Sequence, residues 1–261
     1  MKSQFSAAAI AVAFLGASGP ALRASTSTND ILEVRSDIEL PSIEASIHYH
    51  TAKIEYGMVE NDESVFGYGV EIGWHGLFGG VDVCHDMTAV NGRRGRYNEI
   101  ESFLGYGFSL GGLLAKAAYV CKSVGTDGEP DTQEVEVELE YETPWITPFL
   151  ALECDTHEKP GALYGEIGLS REWELCDRLT LVTCGGIGFG NPYHNDWCFD
   201  RDTWAFREMH LGTALEIELF PHVKLAPCID FYDSFTEAQR KSYDKFNGFL
   251  AVVGCHLAVD F

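Results

Sequence analysis

The sequence predicts an all-β fold, a transmembrane up-and-down antiparallel β-barrel of about 12 strands, within a range of about 10 to 14. Three observations predict it. Apolar and polar residues alternate along most of the chain, the connections between alternating segments are short and long in turn, and the last residue is Phe261. A two-residue period is typical of strands because successive side chains point to opposite faces of a sheet.

The clearest strand runs over residues 134–142. Every second residue from Glu134 to Glu142 is a glutamate, and apolar residues stand between them. A helix would spread these glutamates around its circumference, whereas a strand puts all of them on one face. The segment is therefore predicted to be acidic on one face and apolar on the other.

The same alternation predicts strands along the rest of the chain. They cover residues 41–54, 65–75, 78–87, 97–110, 113–122, 133–142, 145–155, 161–174, 178–189, 204–219, 223–233 and 246–261. Short connections at 75–78, 110–112, 143–145, 175–178 and 220–222 alternate with longer ones that are rich in Gly, Asn, Asp and Pro. This order is typical of barrels with periplasmic turns and extracellular loops, and an even strand number leaves both termini on the periplasmic side.

The two ends of the chain predict export and membrane insertion. Residues 1–24 carry Lys2, an apolar run and small residues, the order of a secretory signal peptide. Residues 25–40 are predicted to form an N-terminal periplasmic segment and residues 41–261 the outer-membrane β-barrel of a Gram-negative-type bacterium. The closing strand presents Val253, Leu257, Val259 and Phe261 on one face, which resembles the C-terminal insertion signal that the barrel-assembly machinery recognises.

Three blocks of the first half of the chain resemble the TorF-like porins. They are residues 53–57 (KIEYG), 77–82 (LFGGVD) and 98–106 (NEIESFLGY). The third block matches the family's acidic strand leading to Gly-Tyr. Tyr56 stands where the family has Arg, and Val83 and Cys84 replace the tryptophan that usually follows the hairpin. The resemblance implies an outer-membrane barrel with pore activity, from a family without a well-established substrate.

The net charge of the chain limits the partners that it can bind. The chain has a formal net charge of −22, which would repel nucleic acid, so no nucleic-acid partner is expected. The expected partners are outer-membrane lipid and lipopolysaccharide, the barrel-assembly machinery and small cationic solutes. The eight cysteines show no redox or metal spacing, and neither a cofactor, a metal site nor a disulfide framework is predicted.

The polar faces of the predicted strands would line a pore with carboxylates. Lys116, Lys122 and Lys224 are the main positive charges expected on the same faces. Rings of carboxylates favour cations, so we expect passive diffusion of small cationic solutes, with conductance falling as pH drops because crowding raises carboxyl pKa values. The predicted pore-lining residues are Glu71, Asp82, Glu99, Glu101, Glu134, Glu136, Glu138, Glu140, Glu153, Glu166, Glu208, Glu216, Glu218 and Asp230.

Several alternatives stay open. A water-soluble sandwich would show the same alternation with its apolar face inward. A plugged barrel could act as a structural anchor, an adhesin with Arg93, Arg94 and Arg96 in a basic loop, or a metal- or ligand-binding protein that uses the histidines of the polar phase. A lipid hydrolase with Ser102 and His85 is disfavoured, because strand pairing would separate the two side chains by about 10 Å. The protein is therefore not expected to be an enzyme.

Overall fold

The computed structural model describes residues 41–88, 95–124, 131–235 and 249–261. The predicted signal peptide and periplasmic segment lie outside these residues, as do Arg93 and Arg94 of the basic loop. Among the described residues, no helix combines the length and the apolar character needed to cross a membrane.

Within the described residues, fourteen strands and one helix are formed. They are β1 (Ser42–His50), β2 (Lys53–Glu55), β3 (Met58–Asn61), β4 (Val65–Trp74), β5 (Leu77–Asp86), β6 (Tyr97–Leu110), β7 (Leu113–Val124), β8 (Thr132–Tyr141), β9 (Thr147–Asp155), β10 (Leu163–Cys176), β11 (Leu179–Gly190), α1 (Pro192–Phe199), β12 (Ala205–Phe220), β13 (Val223–Ser234) and β14 (Phe249–Asp260). Twelve of these strands close an antiparallel barrel, in which each strand pairs with its neighbour along the chain and β14 pairs back onto β1. The predicted fold class is confirmed.

The short connections all lie at one end of the barrel, which we call the turn end; the opposite end is the loop end. The hairpin β4–β5 turns through His75 and Gly76, whose positive φ values of 52° and 82° match the right-handed twist of the strands. Residues Glu44 and Asp260, near the two ends of the described chain, face each other at the turn end. The amide of Phe261 donates to the carbonyl of Ile43 at 2.9 Å and so continues the closing ladder.

The outer face of the barrel is apolar and exposed. Leu104 is 68% exposed, whereas its neighbour Phe103, in the opposite phase, is 8% exposed. The same contrast runs along β4, where Val70, Ile72 and Trp74 are exposed. An exposed apolar belt around a closed barrel is the surface that contacts lipid in membrane barrels.

The first predicted strand is longer than the observed one. Alternation predicts a strand over residues 41–54, but β1 ends at His50, and β2 and β3 form a separate two-stranded hairpin. Its turn consists of Tyr56 and Gly57, both at positive φ (49° and 69°), the geometry of a two-residue hairpin turn. Because the alternation runs through the break, the period alone could not reveal it.

Candidate functional site

The predicted pore-lining residues are brought together on the inner wall of the barrel. Ten of them are buried: Asp82, Glu99, Glu101, Glu134, Glu136, Glu138, Glu140, Glu166, Glu208 and Asp230. The other four, Glu71, Glu153, Glu216 and Glu218, are half-buried. The phase of the strands thus predicts where these side chains lie, and their part in conduction remains a prediction.

Exposure inside the barrel rises toward the turn end. Along β8 the exposed fraction increases from Glu134 (2%) through Glu136 (4%) and Glu138 (6%) to Glu140 (9%). Charged side chains of the same phase nearer the turns are half-buried: Glu44, Glu71, Lys116, Glu172, Glu216, Glu218, Lys224 and Asp260. Water therefore reaches the interior from the turn end, while the loop-end half is tightly filled.

The loop-end half is filled by the hairpin of β2 and β3, which we call the plug hairpin (residues 53–61). It leaves the rim of the barrel after β1 and crosses the interior to the opposite wall. The Tyr56 hydroxyl at its tip donates to Oε1 of Glu134 on β8 at 2.5 Å, and the Tyr56 ring lies 5.2 Å from the ring of Tyr164 on β10. At Gly57, any side chain would collide with Glu208 of β12.

One side of the plug hairpin is apolar and packs on the wall near the chain's closing strand. Ala52 and Ile54 form a buried cluster with Tyr232, Leu250 and Val252, and Val59 packs against it. Burial of the Ile54 side chain contributes about 1.5–3 kcal/mol relative to exposure. This contact attaches the hairpin to β13 and β14.

The other side of the plug hairpin is polar and meets the acidic wall. Lys53, which is 1% exposed, places its Nζ 2.6 Å from Glu60, 3.1 Å from Glu99 and 3.5 Å from Glu55. Lys122 of β7 places its Nζ 2.8 Å from Glu134 and 3.2 Å from Glu55. Lys122 also donates to the Tyr56 hydroxyl at 3.2 Å. The hairpin is thus held by ion pairs in which every cation touches more than one carboxylate.

The two hairpin carboxyl groups have opposite protonation preferences. Burial disfavours the charge of Glu55, but Lys53 and Lys122 outweigh it and lower the pKa of Glu55 to about 2. Burial raises the pKa of Glu60 well above its ordinary value; Lys53 opposes that shift and the neighbouring Glu55 adds to it. Burial also opposes the charge of Lys53, but the surrounding carboxylates raise its pKa. Of this pair, Glu60 is therefore the more readily protonated group and Glu55 the more readily charged one.

This assignment predicts unequal effects of two matched substitutions. Glu55→Gln removes a charge that both lysines need, so it is expected to lower the free energy of unfolding by about 3 kcal/mol. Glu60→Gln replaces the more readily protonated carboxyl group by an isosteric amide and is expected to change the free energy of unfolding by less than about 1 kcal/mol. Urea unfolding of the refolded barrel in lipid vesicles, followed by tryptophan fluorescence, measures both. Equal losses in the two variants would contradict the opposite protonation preferences of Glu55 and Glu60.

A second element covers the loop end. The helix α1 lies between β11 and β12, and its N-cap Asn191 accepts from the amide of His194. Arg207 of β12 donates from Nη1 to Nδ1 of His194 at 2.5 Å and stacks 4.2 Å from the ring of Phe199. Burial, together with the Arg207 charge, lowers the pKa of His194 well below its ordinary value, so this imidazole stays neutral.

Two interior cations lie outside the sequence prediction. Lys53 enters the lumen on the plug hairpin. Arg207 enters it because the register between β11 and β12 shifts at Ile187 and Phe189. This shift turns two successive residues of β12, Arg207 and Glu208, toward the interior. Lys116, Lys122 and Lys224 were the cations expected from the phase alone. The two-residue turn at Tyr56 and Gly57, between short alternating segments, is the sequence signal that could have indicated the hairpin.

The remaining candidate residues are separate from this network. Ser102 pairs with Val81, which lies four residues along β5 from His85. That separation is about 13 Å at the rise of a strand, too far for a serine–histidine hydrogen bond. Each of the eight cysteines is a free thiol.

The fold is similar to that of solved outer-membrane barrels. The KdgM porin superposes with a TM-score of 0.50 at 7% identity, over 84% of this chain and 99% of that one. The NanC porin gives 0.49 at 8% identity over 84% and 98%, and the COG4313 outer membrane channel from Pseudomonas putida F1 gives 0.47 at 6% identity over 86% and 97%. No family model and no curated protein matches the sequence, so the TorF-like resemblance stays a prediction. At such low identity the likeness concerns the fold.

Proposed function

We propose that this protein is a porin-like channel in the outer membrane of a Gram-negative-type bacterium, passing small, preferentially cationic solutes by passive diffusion. The carboxylate ladder from Glu134 to Glu140, whose exposure increases toward the turn end, is the observation that carries the proposal. It supplies a continuous acidic wall between the water-accessible half of the lumen and the plug hairpin.

The physical argument is electrostatic. Carboxylates on a low-dielectric wall concentrate their field in the lumen, which raises the local concentration of cations and excludes anions. The plug hairpin narrows the loop-end half, so we assign it as the constriction. A small single-channel conductance with cation preference is the expected behaviour.

The proposal is tested by the reversal potential of the refolded protein in a planar bilayer across a KCl gradient. A variant with Glu134, Glu136, Glu138 and Glu140 changed to Gln is expected to lose most of its cation preference, by several-fold in permeability ratio. A matched control removes the same charge from exposed positions in the connections, by changing Glu158 to Gln and Asp177, Asp200 and Asp202 to Asn.

The control decides how a change in selectivity is interpreted. If both variants lose cation preference equally, net charge rather than the interior ladder sets the selectivity, and the proposal fails in that form. If the wild-type channel is anion-selective, the acidic pathway is refuted.

A second candidate function has its own support. The ion pairs of Lys53, at 1% exposure, are those of a fixed plug, which favours a closed barrel acting as a structural anchor, adhesin or ligand-binding protein. A folded, heat-modifiable wild-type protein without current would favour this alternative over the channel.

The membrane partners belong to the same proposal. Outer-membrane lipid and lipopolysaccharide would contact the exposed apolar belt, and the barrel-assembly machinery would recognise the closing strand through Val253, Leu257, Val259 and Phe261. In the structure these four side chains occupy the outward phase of the chain's end, with Phe261 fully at the surface.

A further inference from the structure

A cluster of histidines and one cysteine lies on the inner wall beside the apolar side of the plug hairpin. His48 and His50 come from β1, His256 from β14 and Cys228 from β13. The strand register brings them together. His48 pairs with His256, and Gly254 of β14 pairs with His50 on one side and with Cys228 on the other. Three neighbouring strands thus place imidazoles and a thiol next to one another on the inner wall of the barrel.

The distances within the cluster suit a metal ion. One potential ligand atom from each of His50, Cys228 and His256 lies within 4.8 Å of the others. Ligand atoms around a tetrahedral zinc ion are about 3.3–3.8 Å apart, so the ligand atoms need to approach one another by at most about 1.5 Å. The rings of His50 and His256 are 4.8 Å apart and nearly perpendicular, an arrangement in which both can turn a nitrogen toward one point.

Each histidine of the cluster has a buried ring nitrogen without a hydrogen-bond partner. Among the described residues, His48 Nδ1, His50 Nε2 and His256 Nε2 are buried and have no hydrogen-bond partner. A buried polar atom without a partner costs about 1–3 kcal/mol, so several in one cluster indicate a ligand that satisfies them. A bound cation would accept their lone pairs directly.

Glycines make room for the cluster on both sides. At Gly254 a β-carbon would lie 2.5 Å from His50 Nδ1 and 2.8 Å from Cys228 Sγ. At Gly67 a β-carbon would overlap the ring of His48. Only glycine permits the imidazoles and the thiol to lie flat against the wall at these positions.

We infer that His50, His256 and Cys228 form a binding site for a borderline transition-metal ion such as Zn²⁺, with His48 beside it. Imidazole and thiolate are the ligands that zinc, cobalt and copper prefer, whereas calcium and magnesium take oxygen ligands. The carboxyl group of Asp230 lies two residues from Cys228 on the same face of β13. This site is independent of solute passage and adds a function to the barrel interior.

The refolded wild-type barrel provides the first test. Titration with Co²⁺ or Cd²⁺ is expected to produce a thiolate-to-metal charge-transfer band in the ultraviolet that saturates at one equivalent per barrel, and Zn²⁺ is expected to displace it. Absence of the band from folded wild-type protein would refute the site, because it would exclude a cysteine ligand whatever the behaviour of the variants.

Matched variants then identify the ligands. Cys228→Ser is expected to abolish the band, and His50→Gln and His256→Gln to weaken metal binding at least about tenfold, since even outer-shell partners of a metal contribute that much. The control is Cys198→Ser, which removes the thiol that lies 4.0 Å from His194 in α1. A band that survives Cys228→Ser, or one that Cys198→Ser abolishes, would show adventitious binding elsewhere. Heat-modifiable electrophoresis verifies the fold of each variant.

Discussion

Replacing the plug hairpin, residues 53–61, by a short Gly-Ser linker is expected to increase the single-channel conductance several-fold. The hairpin fills the loop-end half of a barrel whose twelve described strands lie between the filled eight-stranded barrels and the open sixteen-stranded porins. Its two ends are adjacent, because Lys53 pairs with Asn61, so a few residues can join them without distorting β1 or β4. Planar-bilayer recordings of wild type and variant measure the change.

A control excision tests whether any shortened loop would do the same. Residues 156–160 form an exposed loop-end connection between β9 and β10, and their replacement by the same linker is expected to leave conductance unchanged. If excising the hairpin leaves conductance at the wild-type level, the hairpin is not the constriction. If wild type is silent and the excised form conducts, the hairpin is a complete plug.

Lys53→Met is expected to lower the free energy of unfolding by about 3–5 kcal/mol, the largest effect predicted for a single substitution in this chain. Lys53 is the cation that Glu55, Glu60 and Glu99 share, and its removal leaves the charge in this group uncompensated in a buried, poorly solvated space. Lys159→Met, at an exposed loop position, is the matched control and is expected to change stability by less than about 0.5 kcal/mol. Urea unfolding in lipid vesicles compares the two.

A compensating variant separates repulsion from lost packing. Adding Glu60→Gln and Glu99→Gln to Lys53→Met removes two of the three acids around the lost lysine and leaves Glu55 with its second cation, Lys122. This should recover a large part of the lost stability. Recovery supports a charge-balancing role for Lys53. A triple variant as unstable as the single one would mean that the lysine acts mainly through packing, which would contradict the ion-pair explanation of hairpin docking.

The barrel and the inner position of the acids could be predicted from the sequence because both follow from a local rule. A two-residue period assigns Glu134 and Glu101 to one face of their strands, and a closed sheet turns that face inward. The short turns are equally local, since two residues at positive φ suffice to reverse a strand.

The plug hairpin is not predicted because its docking depends on partners far away in the chain. Lys53 meets Glu99, and Tyr56 meets Glu134, across 46 and 78 residues respectively. No local pattern encodes such a pairing. The alternation of polar and apolar residues also continues from β1 into β2, so the two segments look like one strand in the sequence. Arg207 was missed for a related reason, because a bulge shifts the phase of β12 by one residue.

The hairpin also affects the closure of the barrel. The seam between β1 and β14 joins the two ends of the described chain; Thr51, just beyond β1, bonds to Val253, 202 residues away. Contacts of such long range form late, because a large loop must close before they are made. The apolar side of the hairpin, which continues directly from β1, rests on Leu250 and Val252 of β14. Separation of β1 from β14 therefore requires the loss of this interior contact as well as of the hydrogen-bond ladder between the two strands.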